Sequence, residues 1–425
     1  MIVDFTVENF RSIKEEQTFS MYAEKKPKHH AGNISYIESE LGLLKTTAIY
    51  GSNASGKTNL ILALDALKYL AIESGDLKDG DEIESYEPYK LSKSTVDAPT
   101  NFEIEFYVKK IRYIYQVTFN LHNIIFEKLD VFKTTKPSNI FTRNSPVDWK
   151  TVKFGDSYKG GKKQFAFFAN NTYMSKAGNS PESPELMRDV YNYLRKDLIT
   201  ILTERSVALF DWEKNAGYKD VVNAFLSKAD LGISSFDFVK RDIPGDLEFP
   251  ENIPSEIKER FIREFSKREV FFHQSDFGEL VEFDKELESR GTNKLFQLVP
   301  FFTMVLSQGA SLFIDEIEAS LHPHLAELVI KLFNDPTVNI HNAQLIFTTH
   351  DMSLMSQDVL RKDQVYLSNK TPENGTQYLC LESFDNSLKD SSPFAKWYNE
   401  GRLGGIPEIN YKDISDSLKE VLTRA

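Results

Sequence analysis

Cysteine is almost absent from this chain, with one residue, Cys380, in 425. That excludes an intrachain disulfide framework and a cysteine-rich zinc site. Long apolar runs are also missing. No stretch of about 18 apolar residues occurs, so no transmembrane helix and no membrane partner are expected. The opening segment MIVDFTVENF has no basic stretch leading into an apolar one. A secretory signal is therefore not expected, and the cytoplasm is the expected location. Positive charge is in deficit: 51 Lys and Arg stand against 63 Asp and Glu, a formal net charge of −12. A surface coated in nucleic-acid-binding charge is not expected from such a balance, although a local basic groove is compatible with it. Two small basic clusters, KKPKHH at 25–30 and YKGGKKQF at 158–165, read as solvated loops. There is no fixed-period repeat, no low-complexity tract and no HExxH motif.

What the chain does contain is an ample apolar fraction, 41%, beside 27% charged residues. This suffices for a sizeable core spread over two or three domains. IVDFTVE (2–8) alternates as a strand, and TTAIY (46–50) reads as a short apolar one. From Lys57 the pattern turns helical, with Leu60, Leu64, Leu67 and Leu70 on one face. FEIEFYV, RYIYQVTFNL and IIFEKLDVF read as antiparallel strands, and 137–182 as irregular. Helical periodicity covers about 184–230, including PELMRDVYNYLRKDLITIL, and returns at 253–267; VFFHQS and LVEFD read as strands. The last third alternates. A helix follows Gly291, then come the strand SLFIDE, a helix from Pro323, the strand AQLIFTTH, a helix near 353–360, and the strands QVYLS and TQYLCLE. This order implies an α/β fold with a parallel sheet between helices. The expected divisions are 1–75, an N-terminal part with the glycine loop; 76–180, an antiparallel β subdomain with loops; 181–270, a mainly helical insertion; and 271–425, the alternating C-terminal part.

Four motifs carry chemistry. The first is GSNASGKTNL, 51–60, between a strand and a helix. In GxxxxGK[ST] the glycines let backbone N–H groups wrap a β-phosphate; the lysine reaches the β- and γ-phosphates, and the hydroxyl ligates magnesium. Gly51, Asn53, Ser55, Gly56, Lys57, Thr58 and Asn59 are the candidate nucleotide-binding residues. The second is SLFIDE, 311–316. An apolar strand ending in acids puts Asp315 beside a magnesium ion (Mg2+) held with Thr58, and Glu316 where a general base would polarise water. The third is AQLIFTTHD, where His350 ends a strand and could touch a γ-phosphate. The fourth is ESRGTNKL, where Ser289, Gly291 and Thr292 precede a helix. That arrangement is an anion site or an ordinary helix N-cap.

Taken together, VENFRSI, GSNASGKTNL, ESRGT, LFIDEIEASLHPHL and FTTHD, in that order, resemble the ABC-type ATPases of the SMC/RecF branch. Within it they are most similar to the bacterial OLD-like and RloA-like AAA family ATPases, many encoded in antiphage defence systems. The closing YNEGRLGGIPEI is similar to that group's C-terminal ending. The resemblance covers the two ends of the chain and says little about 80–270. It implies an ABC-type P-loop NTPase head and ATP with magnesium as cofactors. It further implies that Lys57 and Thr58 match Walker A, Asp315 and Glu316 match Walker B, and His350 matches the switch histidine. Ser289 to Thr292 match a short signature motif, which in such ATPases covers the γ-phosphate held by a partner copy. EASLHP, with Ser320 and His322, matches the loop crossing that interface, and Arg11 resembles an arginine placed near the nucleotide. A Q-loop glutamine is not located; Gln164 and Gln274 are the candidates. There is no SMC-like coiled coil, and the tail after His350 is too short for a TOPRIM nuclease, so no nuclease activity of its own is expected.

Three functional readings remain at this point. One is an ATP-hydrolysing switch that forms a homodimer or higher homo-oligomer through ATP-bridged heads and controls a separate effector, such as a nuclease, in antiphage defence. A second is a RecF-like DNA-binding repair ATPase. The third is an ATP-gated scaffold with little turnover. No base-reading motif separates ATP from GTP.

Overall fold

The computed structural model describes residues 1–24, 29–37, 41–144, 149–203, 212, 215–229, 232–240, 266–319, 321–384, 388–389, 392–405 and 410–424. The helix expected at 253–267 lies almost entirely outside them. Strands and helices pack in an α/β arrangement around two principal sheets. The six-stranded sheet has the order Leu198–Ile201, Ser311–Ile314, Gln344–Thr348, Thr46–Gly51, Val365–Thr371, Gly375–Cys380. The first five are parallel and the last is antiparallel.

These strands read as apolar runs because both faces are covered. Period two sends alternate side chains to opposite cores. Ile49, Phe313 and Ile346 join the helix Lys57–Ile72 through Leu60, Ile61, Leu64 and Leu67. Ala48, Leu312, Ile314, Leu345 and Phe347 join the helices Arg290–Gln308 and Pro323–Asn334 on the other face. Each fully buried leucine or isoleucine contributes about 1.5–3 kcal/mol relative to exposure. The helix Arg290–Gln308 passes through Pro300 without ending.

The second sheet is antiparallel and seven-stranded. Its order is Lys153–Phe154, Pro137–Arg143, Ile124–Phe132, Ile111–Phe119, Thr100–Val108, Ile2–Glu8, Gln17–Ser20. The N-terminal strands thus belong to this sheet and not to the one carrying the glycine loop. Buried Gln344 joins the two layers. Its Oε1 accepts from Ile2 N (2.6 Å) and Ser311 Oγ (2.9 Å), and its Nε2 donates to Ile2 O (3.0 Å) and Leu44 O (3.2 Å). A three-stranded sheet, Ile233–Lys240, Lys267–Gln274 and Leu280–Asp284, docks on the helix Arg290–Gln308. There Phe236 and Phe271 lie 5.0 and 5.2 Å from Phe296 between ring centroids.

Three elements differ from expectation. Leu198–Ile201 is a strand and not the end of a helix. The β-branched run Ile199, Thr200, Ile201 pairs with Ser311–Ile314, and Lys68 of the glycine-loop helix donates to Leu198 O at 2.7 Å. Pro137–Arg143 is a strand inside a segment read as irregular, because Ile140 and Phe141 are buried against its neighbour. The helix expected near 353–360 is only a 3₁₀ turn, Met352–Leu354. The Asp351 side chain accepts from Ser353 N and turns the backbone instead of extending it. Among the described residues no helix is long and apolar enough to cross a membrane.

Replacing Gln344 by leucine keeps bulk but leaves the Ile2 amide and the Ser311 hydroxyl unpaired. The expected cost is about 2–4 kcal/mol, read as a lower midpoint in urea unfolding.

Candidate nucleotide-binding site

The loop between the strand Thr46–Gly51 and the helix Lys57–Ile72 is held from behind. Thr376 Oγ1 and Ser368 Oγ donate to Ser55 O at 2.8 and 3.0 Å, and Tyr378 OH donates to Gly56 O at 2.6 Å. Ser12 Oγ lies 2.7 Å from Thr376 Oγ1 and accepts from Asn59 Nδ2 at 2.5 Å. Anchoring carbonyls on one side is what leaves peptide N–H groups for an anion on the other. Both loop glycines are required. A Cβ at Gly51 would meet Ser55 Oγ at 2.5 Å and Ser368 O at 2.6 Å. Gly56 has φ +100° and would run into the Thr376 hydroxyl. Ser55 is buried, its hydroxyl unpaired among the described residues. Lys57 curls back to donate to Gly51 O (3.0 Å) and Ser52 O (3.1 Å). Burial lowers its pKa, and the charges of Asp315, Glu316 and Glu318 oppose that shift.

Asp315 follows the strand Ser311–Ile314 and is buried. Its Oδ1 accepts from Thr58 Oγ1 at 3.0 Å and from Thr348 Oγ1 at 2.6 Å, and its Oδ2 lies 3.2 Å from Thr58 Oγ1. The helix after the glycine loop and two strand ends therefore meet at one carboxylate. Thr348 Oγ1 also accepts from Glu316 N at 2.8 Å. Glu316 has φ +51°, a conformation that costs a non-glycine residue about 1–3 kcal/mol. This turn brings Glu316 into a cleft of about 550 Å³, lined also by Asn53, Gly56, Lys57, Thr58, Asn59 and His350. One carboxylate and one hydroxyl in contact fit magnesium, which takes few protein ligands and completes its shell with phosphate and water.

His350 is exposed and lines the cleft, and its amide donates to Glu318 Oε1 at 2.6 Å. Partial desolvation, then the Lys57 charge, lower the imidazole pKa, against the opposing pull of Glu318, Glu316 and Asp315. The lowering favours the neutral ring, which can accept or donate a hydrogen bond.

Other expected site residues lie elsewhere. Arg11 does not line the cleft; its Nε pairs with Glu87 Oε2 at 2.7 Å. Ser289 caps the helix Arg290–Gln308, accepting from Thr292 N at 3.0 Å, and neither it nor Gly291 or Thr292 lines this chain's own cleft. Ser320 lies outside the described residues. His322 caps the helix Pro323–Asn334. Gln164 and Gln274 are exposed and away from the cleft. Sequence reasoning missed Ser12, Ser368, Lys370, Thr376 and Tyr378. They sit on ordinary strands or turns, and only the sheet register, with Ser368 level with Gly51, brings them to the loop.

A glycine loop bound to a strand and a helix, with strand-end acids beside it, defines a P-loop ATPase domain. Residues 46–356 match the family described as "AAA domain, putative AbiEii toxin, Type IV TA system", and the chain belongs to it. No curated protein matches the chain. Among solved structures, an SMC head domain from Thermotoga maritima is 12% identical, covering 89% of this chain and 98% of its own, with a TM-score of 0.35. An SMC head bound to the C-terminal winged-helix domain of ScpA is 13% identical, with 89% and 96% covered and a TM-score of 0.42. A Pyrococcus furiosus SMC head with an extended coiled coil, bound to the C-terminal domain of ScpA, is 12% identical, with 94% and 99% covered and a TM-score of 0.40. Identities and TM-scores this low carry no conclusion about this chain's partners or activity.

Two outcomes are expected. Gly56→Ala, forced into a left-handed backbone against Thr376, should weaken ATP binding by about tenfold or more, since each 1.4 kcal/mol is tenfold; isothermal titration reads it. In the free protein, the His350 imidazole should titrate below the ordinary 6.5, and MgATP should move it upward, as followed by imidazole NMR shifts.

Proposed function

We propose that this protein binds MgATP in the cleft, hydrolyses it, and uses the cycle as a switch in which two copies close head to head on ATP. The convergence of Thr58, Thr348 and Glu316 N on and around the Asp315 carboxylate carries this reading. Lys57 would release its loop carbonyls to meet the β- and γ-phosphates, while Thr58 and Asp315 hold the metal. Magnesium, when bound, supplies charge neutralisation across those phosphates. Glu316, with its backbone fixed by Thr348, is placed to orient the attacking water and take its proton. His350, lining the cleft with Glu316, would sense the γ-phosphate.

Closure by a second copy is supported by Ser289, which is exposed and does not line its own cleft, with Thr292 buried beneath it. In the segment leading to Ser289, Phe277, Leu280 and Leu287 are 92, 60 and 71% exposed. Apolar side chains exposed this close to Ser289 are compatible with association there. The product of the switch is control of a separate effector, such as a nuclease, in bacterial antiphage defence, with the cytoplasm as its place. The family description, with its toxin–antitoxin wording, supports this setting. A DNA-binding role has weaker support, because the net charge is −12.

Glu316→Gln should keep ATP affinity and lose turnover by about 10²- to 10⁴-fold, whereas Lys57→Ala should lose binding; equal turnover in wild type and Glu316→Gln would contradict the assigned base. Ser289→Arg should bind ATP normally yet fail to hydrolyse it, a pattern that distinguishes action on a partner's nucleotide from a helix cap.

A further inference from the structure

The P-loop strand lies between two unlike flanks. Asp315, Glu316 and His350 follow the strands Ser311–Ile314 and Gln344–Thr348 on one side of it. On the other side runs Val365–Thr371, parallel to it, and then Gly375–Cys380, with Lys370 directly opposite Thr376. Residues two apart on a strand share a face, and so do opposed residues of an antiparallel pair. Ser368 and Thr376 both donate to Ser55 O, so the face they share with Lys370 is the one turned to the P-loop. Lys370 accordingly lines the cleft. It is exposed, and among the described residues no hydrogen bond or ion pair engages its ammonium. Lys57, in contrast, is buried and already holds two loop carbonyls.

A triphosphate seated here with its γ end toward the acid and imidazole flank would run across the loop toward the opposite flank, where Ser12, Asn59 and Lys370 line the cleft. An ammonium is a compact, hydrated point charge suited to a single phosphate oxygen. We propose that Lys370 is a nucleotide-binding residue that holds the α-phosphate end, strengthening ATP and ADP alike and taking no part in the hydrolytic step. The proposal rests on the cleft being the MgATP site. It assigns the two lysines different work: Lys57 serves the β- and γ-phosphates, and Lys370 serves the part of the nucleotide that hydrolysis does not change.

The test is equilibrium binding of ATP and of ADP, each with magnesium, to the full chain carrying Lys370→Ala, Lys370→Arg, Lys370→Glu or Lys57→Ala, together with steady-state ATPase kinetics. Because Lys370 is solvent-exposed, folding should be unaffected, as checked by circular dichroism. Lys370→Ala should weaken ATP and ADP by the same factor, about two- to fivefold for an exposed charged hydrogen bond. KM for ATP should rise with it while kcat stays within about twofold. Lys370→Glu should be weaker still, and Lys370→Arg should restore most of the affinity. A loss confined to ATP would overturn the placement at the α-phosphate end. Wild-type affinity in Lys370→Ala and Lys370→Glu, with binding lost in Lys57→Ala, would overturn the role of Lys370 and leave the MgATP site standing. Retention of binding by Lys57→Ala would overturn both.

Discussion

The Asp315 carboxylate, buried and accepting the hydroxyls of Thr58 and Thr348, is the contact on which the rest of this site depends. A carboxylate taken out of water is costly unless its oxygens are satisfied. Here the satisfying groups come from the helix after the P-loop and from the neighbouring strand. The same hydroxyl of Thr348 then receives the amide of Glu316. That bond helps hold Glu316 in its left-handed turn, with its side chain in the cleft. One buried charge therefore sets the register between loop, acid and base. Removing it would loosen all three at once.

The P-loop is clamped from the opposite direction by neutral groups. Ser368, Thr376 and Tyr378 tie down the Ser55 and Gly56 carbonyls. A rigid loop with its N–H groups left over meets an anion without reorganising, which is how a backbone dipole site gains affinity. The flank that does the tying also brings the last two strands, close to the C-terminal end of the chain, into the site. Buried glutamines hold the layers that make this possible. Gln344 spans the two main sheets, and Gln364 joins Asn33 to Thr46. Each fills four hydrogen-bonding positions in a fully buried place, so the register of strands far apart in sequence is fixed by polar pairing as well as by apolar burial.

Much of the fold was legible in the sequence, for local reasons. A strand, a glycine loop and a helix follow one another within 46–72, and the leucines of that helix keep their spacing into the core. The strand ending in Asp315 and Glu316, and the strand before His350, were readable from apolar runs broken by a polar end. What escaped was set by tertiary pairing. Leu198–Ile201 continues a helical pattern in sequence, yet the parallel ladder beside Ser311–Ile314 makes it a strand. Ser12, Ser368 and Thr376 are unremarkable hydroxyls until the sheets place them against residues 55–59. Arg11, expected near the nucleotide, pairs with Glu87, 76 residues away, while the next residue, Ser12, lines the cleft. Ser289 likewise caps its own helix and does not line the P-loop cleft, so a single chain gives it no part in that cleft.

The central claim is that ATP closes two of these heads on each other. The measurement that tests it most directly is the solution mass of the Glu316→Gln protein, by light scattering after size exclusion, with and without ATP and magnesium. The account predicts a doubling of mass that needs both ATP and magnesium and reverses when they are removed. A mass that is the same in every condition, whether that of one copy or of a fixed oligomer, would contradict it.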